Sequence, residues 1–385
     1  MPGSATFYRE QVSVGRCFAS HLTYEIGFTN AGVIVSRQLR LTKFSALSPA
    51  DPFFDSLKAG YDEFPDWFAR KADQDVYAVI DDVTGELSGM VYLKEEHGPV
   101  PEVDPPLPDR KWLKVGTLKI VGRGTRLGER VIKKIFDTAI ATGADAIYVT
   151  VFELHDQLIA LFERFGFVRQ GTKTTDNGTE LVLVRSFTNL TGDRLKDYPF
   201  IHLSGRRAWL LAIYPEYHTE LLPDSILRNE PAEMVQDVSH TNSIHKVYIG
   251  KLALKRMSPG DVVIFYRTTD IQGRAYFRSV VSSICVVEEV KGKKDFASVD
   301  AFLAYALPRS VFSEEVLRGY WASWKRLYVL KITYNAAFGR RTTRGQLLDA
   351  GVMSEQPRWD LRELSREQLD RIVEMGEVNA RLIVD

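Results

Sequence analysis

A glycine-bearing turn, Gly122-Arg123-Gly124-Thr125-Arg126-Leu127-Gly128, lies between a β-rich run (114–121) and an amphipathic segment that begins at Leu127. The first N–H groups of a helix have no partner within it, and the helix dipole adds partial positive charge there. Glycine lets an anion approach the backbone, so a strand–turn–helix of this composition is suited to holding a phosphate. Two familiar phosphate loops are excluded by spacing. The Walker type needs Lys-Ser/Thr after its last glycine, whereas Glu129-Arg130 follows Gly128. The dinucleotide type fits Gly122 and Gly124, but Gly128 falls one residue late. Other reactive types are sparse. Glu153 and His155 share one short stretch, and His240 and His245 stand five apart with no third ligand nearby, so no metal site is expected. No nucleophile-elbow motif accompanies any serine.

The elements around the turn follow from periodicity. Leu127, Val131 and Ile135 recur every fourth residue, flanked by Ile132, Phe136 and Ile140, which predicts a helix. Glu129, Arg130, Lys133, Lys134 and Asp137 are expected on its solvent face. The run 146–152 reads as a buried strand, and 155–167 as a helix stopped by Gly166. Upstream, 76–93 reads as a hairpin turning at Thr84-Gly85, preceded by one or two helices over 53–72.

In this order the elements resemble the GNAT acetyltransferase superfamily over residues 39–188. The turn is similar to that family's pyrophosphate loop, Gln/Arg-x-x-Gly-x-Gly/Ala. Arg123 and Gly128 match its ends, and Arg126 stands at the middle glycine position. The resemblance implies an α/β (α+β) domain with a mixed central sheet. It also implies acetyl-CoA as cofactor, held by Leu118, Ile120, Arg123, Gly124, Thr125, Arg126, Leu127, Gly128 and Glu129. The acetyl group would pass directly to an amine without a covalent acyl-enzyme. In many relatives a tyrosine on the fourth helix supplies the acid; here that position is Phe162, which has no proton to give. Expectation therefore moves to Glu153 and His155, with His155 as base near neutral pH and Glu153 relaying through water.

At 385 residues the chain exceeds one usual domain. It has no apolar run of membrane-spanning length and no basic-then-apolar leader at its start, so a cytoplasmic protein without a membrane partner is expected. Cys17 and Cys285 read as reduced, small apolar residues. Net charge is zero, yet residues 251–345 carry 17 Lys and Arg against 8 Asp and Glu, an excess of nine. Such asymmetry is a hint of nucleic-acid contact, although a solvated basic face produces it too.

The second half has its own pattern. A polar, turn-rich stretch (189–204) reads as a connector. Ser258-Pro259-Gly260-Asp261 introduces a strand ending in Phe265-Tyr266-Arg267, and a second strand is expected over 275–288. Over residues 205–338 this resembles the PUA-like superfamily, which includes ASCH and EVE domains. That implies a β-barrel binding nucleic acid, RNA more than DNA, with Tyr266, Arg267, Arg309, Trp321, Lys325 and Arg326 as contacts. Residues 339–385 read as a helical tail, with Ser365 and Gln368 spaced for a capping box, and residues 1–38 as an extension. The expected whole is an acetyl-CoA-dependent N-acetyltransferase acting on a nucleic acid or nucleic-acid-linked acceptor. Two alternatives stand beside it: a toxin with an antitoxin protein as partner, and a non-catalytic sensor of acetyl-CoA and nucleic acid.

Overall fold

The apolar runs of the first half pair into one seven-stranded sheet. In a computed structural model, residues 37–81, 84–121, 127–222, 243–356 and 358–385 are described. The first-half elements are β1 (Arg37–Lys43), α1 (Asp55–Gly60), α2 (Phe64–Arg70), β2 (Asp75–Asp81), β3 (Leu87–Val100), β4 (Leu107–Ile120), α3 (Leu127–Thr142), β5 (Ala146–Val151), α4 (Asp156–Arg164), β6 (Val168–Thr175) and β7 (Gly178–Ser186). The strand order is β1-β2-β3-β4-β5-β7-β6. Only β4 and β5 run parallel, because α3 supplies the crossover that parallel neighbours require. The sheet is therefore mixed, as expected. Both strands of the β3–β4 hairpin are longer than the periodicity indicated, forming an arm that covers Trp112 and Tyr148.

Each face of this sheet has its own cover. Val131, Ile135 and Phe136 of α3 and Ile159 and Phe162 of α4 pack on Leu113, Ile147 and Val149. On the opposite face, Phe54, Phe64 and Phe68 from the α1–α2 region pack with Phe44, Met90 and Tyr92. Helix α4 stops at Gly166 as its sequence indicated. That residue has φ +81, and a Cβ there would lie 2.1 Å from the Lys196 carbonyl oxygen.

The polar side of α3 corrects an expectation. Glu129, Arg130 and Lys133 are buried, not solvated. Lys133 pairs with Asp137 of the same helix at 2.6 Å and lies 5.0 Å from the ring centroid of Tyr334 in the second half.

That second half continues with β8 (Ile201–His202), β9 (Ala208–Ile213), α5 (Pro215–Leu221), β10 (His245–Gly250), β11 (Val262–Arg267), α6 (Ala275–Arg278), β12 (Val280–Gly292), α7 (Val299–Ala306), α8 (Glu314–Ser323), β13 (Tyr328–Thr343), α9 (Arg344–Asp349), β14 (Leu361–Leu364), α10 (Arg366–Met375) and β15 (Ile383–Val384). Six strands form a sheet in the order β10-β13-β12-β11-β9-β14. A β-barrel was expected here. Among the described residues the sheet is open, since its edge strands β10 and β14 do not pair, and no closed barrel forms. The turn before β11 is set by Asp261, whose carboxylate accepts from Ser258 N at 2.9 Å and Trp209 Nε1 at 2.8 Å. The strand expected from Ala275 begins instead at Val280, after the short helix α6. Ser365 and Gln368 do form a capping box on α10. Gly376 ends that helix with φ −82, so its glycine is required by space: a Cβ would lie 2.4 Å from Phe338 Cδ2.

The stretch 189–204 is packed. Tyr198 and Phe200 join the core of the first sheet, and the Tyr198 hydroxyl donates to the Tyr334 carbonyl at 3.0 Å. A line of polar groups around the buried ring of His245 runs alongside. Arg164 of α4 donates to His245 Nε2 at 3.0 Å, so Nδ1 carries the proton that His245 gives to Glu288, and Lys331 reaches Glu288 at 2.6 Å. Burial works against a charge on Glu288, but His245 and Lys331 outweigh it and hold its carboxyl below the ordinary value. At the far end β15 pairs with β8, and Arg381 donates to the Ala144 carbonyl at 2.7 Å. Residues 35–385 consequently form one compact unit.

His218 of α5 gives this unit an acid sensitivity. Its ring is fully buried and donates to or accepts from Ser282 Oγ at 2.8 Å. Burial first, then the positive charges of Arg267 and Arg341, lower its pKa from 6.5 to about 3. Between those values the unfolded chain binds a proton that the folded chain refuses. The stability associated with neutral His218 is whole above pH 6.5 and drains away as pH falls toward 3, by up to about 1.4 kcal/mol per pH unit. His218→Gln keeps a hydrogen-bonding side chain but removes the titration. Urea unfolding at pH 6.5, 5.5 and 4.5 should show a shallower loss of stability in this variant, and an unchanged slope would exclude His218 as the source.

Candidate active site

The site begins where two parallel strands part. β4 and β5 pair from Trp112↔Ala146 to Val115↔Val149. Beyond Val115, β4 continues to Ile120 while pairing only with β3, and β5 continues beside β7. Among the described residues, the β4 backbone from 116 to 120 thus has no partner on its β5 side. Gly116 marks the divergence as a bulge, because Tyr92 faces Thr117 and Leu93 faces Val115, leaving Gly116 unpaired. Only glycine fits, since a Cβ would approach Tyr92 Cδ1 to 2.8 Å. An unpaired strand edge offers alternating donors and acceptors to an extended polar chain.

Of the expected cofactor residues, Leu118 and Ile120 lie on this open stretch with their side chains packed against the α3–α4 core. Leu127 is buried at the start of α3, and a Cβ on Gly128 would lie 2.9 Å from Leu161 Cδ2. Gly128 therefore permits a close approach of α3 and α4. The Glu129 side chain is buried, leaving its backbone as the group available at the helix terminus. Arg123, Gly124, Thr125 and Arg126 lie outside the described residues. The open edge and the helix start beside it fit an extended coenzyme arm ending in phosphates: the edge offers hydrogen bonds to the arm, and the helix terminus offers N–H groups to the anion.

Glu153 and His155 are exposed in the turn between β5 and α4. His155 occupies the N-cap position of α4, but its side chain makes no capping hydrogen bond. Phe162 is fully buried, with its ring centroid 4.8 Å from that of Phe167.

The sheet face opposite α3 and α4 brings together groups that sequence spacing did not connect. Tyr148 of β5 donates to Glu96 of β3, and Lys94 Nζ lies 2.8 Å from Glu96 Oε1. Lys114 Nζ is 3.7 Å from Glu96 and 5.4 Å from the centroid of the Tyr148 ring. Burial raises the Glu96 pKa, but these hydrogen bonds and charges outweigh it and leave the carboxyl below its usual range. Burial lowers that of Lys114. Nearer the open end, Tyr61 follows α1, and its hydroxyl donates to Glu180 of β7 at 3.2 Å. The Tyr61 and Phe152 rings are 5.8 Å apart, and Asn177 of the β6–β7 turn donates to Glu63 at 2.8 Å. The sequence sign of this grouping is Glu180, a carboxylate immediately before the apolar run Leu181–Val184 of β7.

In the second half, Tyr266 and Arg267, expected as surface contacts, are buried at 3% exposure each. Tyr266 packs against Trp359 with centroids 5.3 Å apart, because β11 is central in the open sheet. Trp321 is half-buried, stacked on Phe302 at 5.5 Å. Arg309 is half-buried and donates to the Tyr305 carbonyl at 3.3 Å, while Lys325 and Arg326 are exposed. A row of rings lies beside them. Tyr217, Phe312, Tyr320 and Trp324 stand in successive ring contact at 5.0, 5.1 and 4.0 Å. Lys251 lies 4.5 Å from the centroid of Trp324. Among the described residues no cluster of His, Cys, Asp or Glu could hold a metal ion, and no helix is long and apolar enough to cross a membrane.

Residues 41–167 match the acetyltransferase (GNAT) family. Members of that family bind acetyl-CoA and transfer its acetyl group to amines. Among solved structures, ASCH from Zymomonas mobilis aligns at 13% identity and TM-score 0.32, over 44% of this chain and 96% of that one. A chain of the NatC complex bound to Gag peptide and CoA aligns at 16% and 0.28, over 40% and 99%. Nourseothricin acetyltransferase aligns at 18% and 0.23, over 29% and 63%. Comparison with curated proteins gave no match.

Gly128→Asp would test the phosphate turn poorly, since the new side chain meets Leu161. Arg126→Glu instead reverses a charge in the turn. Titration calorimetry should show acetyl-CoA affinity lowered by at least about tenfold, or ~1.4 kcal/mol, with thermal unfolding unchanged. Equal affinity in the folded variant would remove the turn from the coenzyme site.

Proposed function

We propose that this chain is an acetyl-CoA-dependent N-acetyltransferase whose acceptor amine belongs to, or is carried on, a nucleic acid, with RNA preferred. The observation carrying the transferase reading is the parting of β4 and β5 at the Gly116 bulge, within the segment that matches the GNAT family. Acetyl-CoA supplies the acetyl group as a thioester. The open β4 edge would hold its extended arm, the turn 122–128 its phosphates, and the opposite sheet face the acceptor.

Support for a nucleic acid comes from the second half. The excess of nine positive charges over residues 251–345 coincides with the ring row ending at Trp324 and with exposed Lys325 and Arg326. Aromatic rings beside cations are surfaces on which unpaired bases stack. This row takes the part that Tyr266 was expected to play. A coenzyme and nucleic-acid sensor is the second reading, favoured by Phe162, which is buried and carries no hydroxyl.

Labelled acetyl-CoA incubated with total cellular RNA, DNA and protein should deliver label to RNA. Coenzyme binding without label in any fraction would favour the sensor. The double variant Lys325→Glu/Arg326→Glu should weaken tRNA binding and lower the log–log salt slope by about two units. A slope equal to the parent's would place the contact elsewhere.

A further inference from the structure

The connection between β11 and β12 (268–279) carries α6 and leaves its largest apolar side chains in water. Phe277 is 71% exposed, Ile271 46% and Tyr276 39%. Single apolar residues on a surface need no explanation. This group is different because its loop is braced. The Tyr276 hydroxyl lies 2.6 and 2.7 Å from the two carboxylate oxygens of Asp349 and donates between them. Its ring rests against Gly345, where a Cβ would stand 2.4 Å from Cε1. Arg278 Nε donates to Asp270 at 2.5 Å across the loop, and Arg344 N donates to the Ser279 carbonyl at 2.8 Å. Phe277, next to the latched Tyr276 with ring centroids 4.8 Å apart, is thereby held outward.

Strand direction places this loop at the same end of the second sheet as the start of the aromatic row. β9 and β11 are parallel neighbours, and Thr268 N donates to the Ile213 carbonyl at 2.9 Å where both end. β9 leads on to Tyr214, 59% exposed, and to Tyr217, the first ring of that row. β11 leads on to α6. β13 finishes at this end too, since its Thr343 faces Val280 at the start of β12.

Charge gathers there as well. Residues 267–278 and 340–349 hold six arginines against Asp270 and Asp349, with Glu355 acting on Tyr276 from nearby. Four of the six are committed. Arg267 is buried, Arg278 is paired with Asp270, Arg344 lies over the Trp359 ring, and Arg341 donates to the Phe338 carbonyl. Arg274 and Arg340 are exposed, and among the described residues neither side chain has a hydrogen bond or ion pair. An outward ring and two unengaged cations thus share one end of the sheet.

We propose that the β11–β12 loop is a wedge that enters an RNA strand between two adjacent unpaired bases, with Phe277 as the inserted ring and Arg274 and Arg340 on the flanking phosphates. This rests on the nucleic-acid reading above and adds a contact which that reading does not contain. Inserting an apolar side chain costs the stacking of a base step. A ring already held outward adds little ordering cost of its own. Its face takes any base, so the wedge selects unpaired, flexible RNA and not a sequence. A lipid surface also accepts an apolar tip. Bases are favoured because the Tyr217–Trp324 row and Lys251 continue from the same end, whereas a bilayer would touch the tip alone.

The test uses the full chain, a single-stranded RNA oligomer with one internal 2-aminopurine, and a fully paired duplex of the same sequence. Phe277→Ala should unfold at the parent's temperature, because the side chain is exposed, yet bind the single strand about 5- to 150-fold more weakly. Its log–log salt slope should equal the parent's, whereas Arg274→Ala should lower that slope by about 0.7. The 2-aminopurine signal should change on binding the parent and Phe277→Trp, and not on binding Phe277→Ala. The duplex should bind the parent more weakly than the single strand does. Equal affinity of parent and Phe277→Ala for the single strand overturns the wedge and leaves the nucleic-acid reading standing. No RNA binding by the parent overturns both. Binding to phosphatidylserine vesicles that Phe277→Ala abolishes, with RNA affinity untouched, overturns the wedge and gives the loop to a lipid surface.

Discussion

The line of polar groups that runs from α4 into the second sheet, closed around the buried ring of His245, is the constraint on which the rest of this chain depends. Arg164, His245, Glu288 and Lys331 form a continuous line from α4 into β10, β12 and β13. Charges withdrawn from water are costly, and removing one member strands its partner. The line therefore tolerates little displacement. Because α4 is held this way and α3 presses Lys133 against Tyr334, both helices on that side of the β4–β5 divergence are fixed by the other half of the chain. Glu129, Arg130 and Lys133 are buried on the polar side of α3, and at Lys133 the second sheet supplies the cover.

That line also explains which parts of the fold could be read from the sequence. Period and turn chemistry located β2, β5, α3 and α4, the hairpin at Gly85, the Asp261 turn and the Ser365 cap, because each rests on neighbours in the chain. The burial of the α3 polar face was not legible. Lys133 and Glu129 carry the signature of a solvated helix, and the ring that lies over Lys133, Tyr334, comes some two hundred residues later. His245 was misplaced for the same reason: set in a polar stretch with His240, it is in fact the first residue of a buried strand. Tyr266 was read as a surface aromatic because its position in a central strand depends on strand order, which local patterning does not give.

The candidate site was legible in part. The turn at 122–128 and the strand before it carry a local pattern, and Phe162 showed that the usual acid is missing. The sequence drew attention to Glu153 and His155 because they are adjacent in the chain, yet both are exposed. Glu180 and Tyr61 are separated by more than a hundred residues and meet only because β7 lies beside β5 and the α1–α2 region arches over it.

The contact between Arg381 and the Ala144 carbonyl has a consequence for how the chain is made. Residues leave the ribosome in order, and domains commonly fold as they emerge. The corner between α3 and β5 appears early, but the guanidinium that closes it arrives more than two hundred residues later, with β15 pairing to β8 at the same moment. For most of its synthesis the first sheet therefore has the polar side of α3 and the Ala144 carbonyl uncovered. Closure of the corner between α3 and β5 therefore waits for a segment translated long after the first sheet itself.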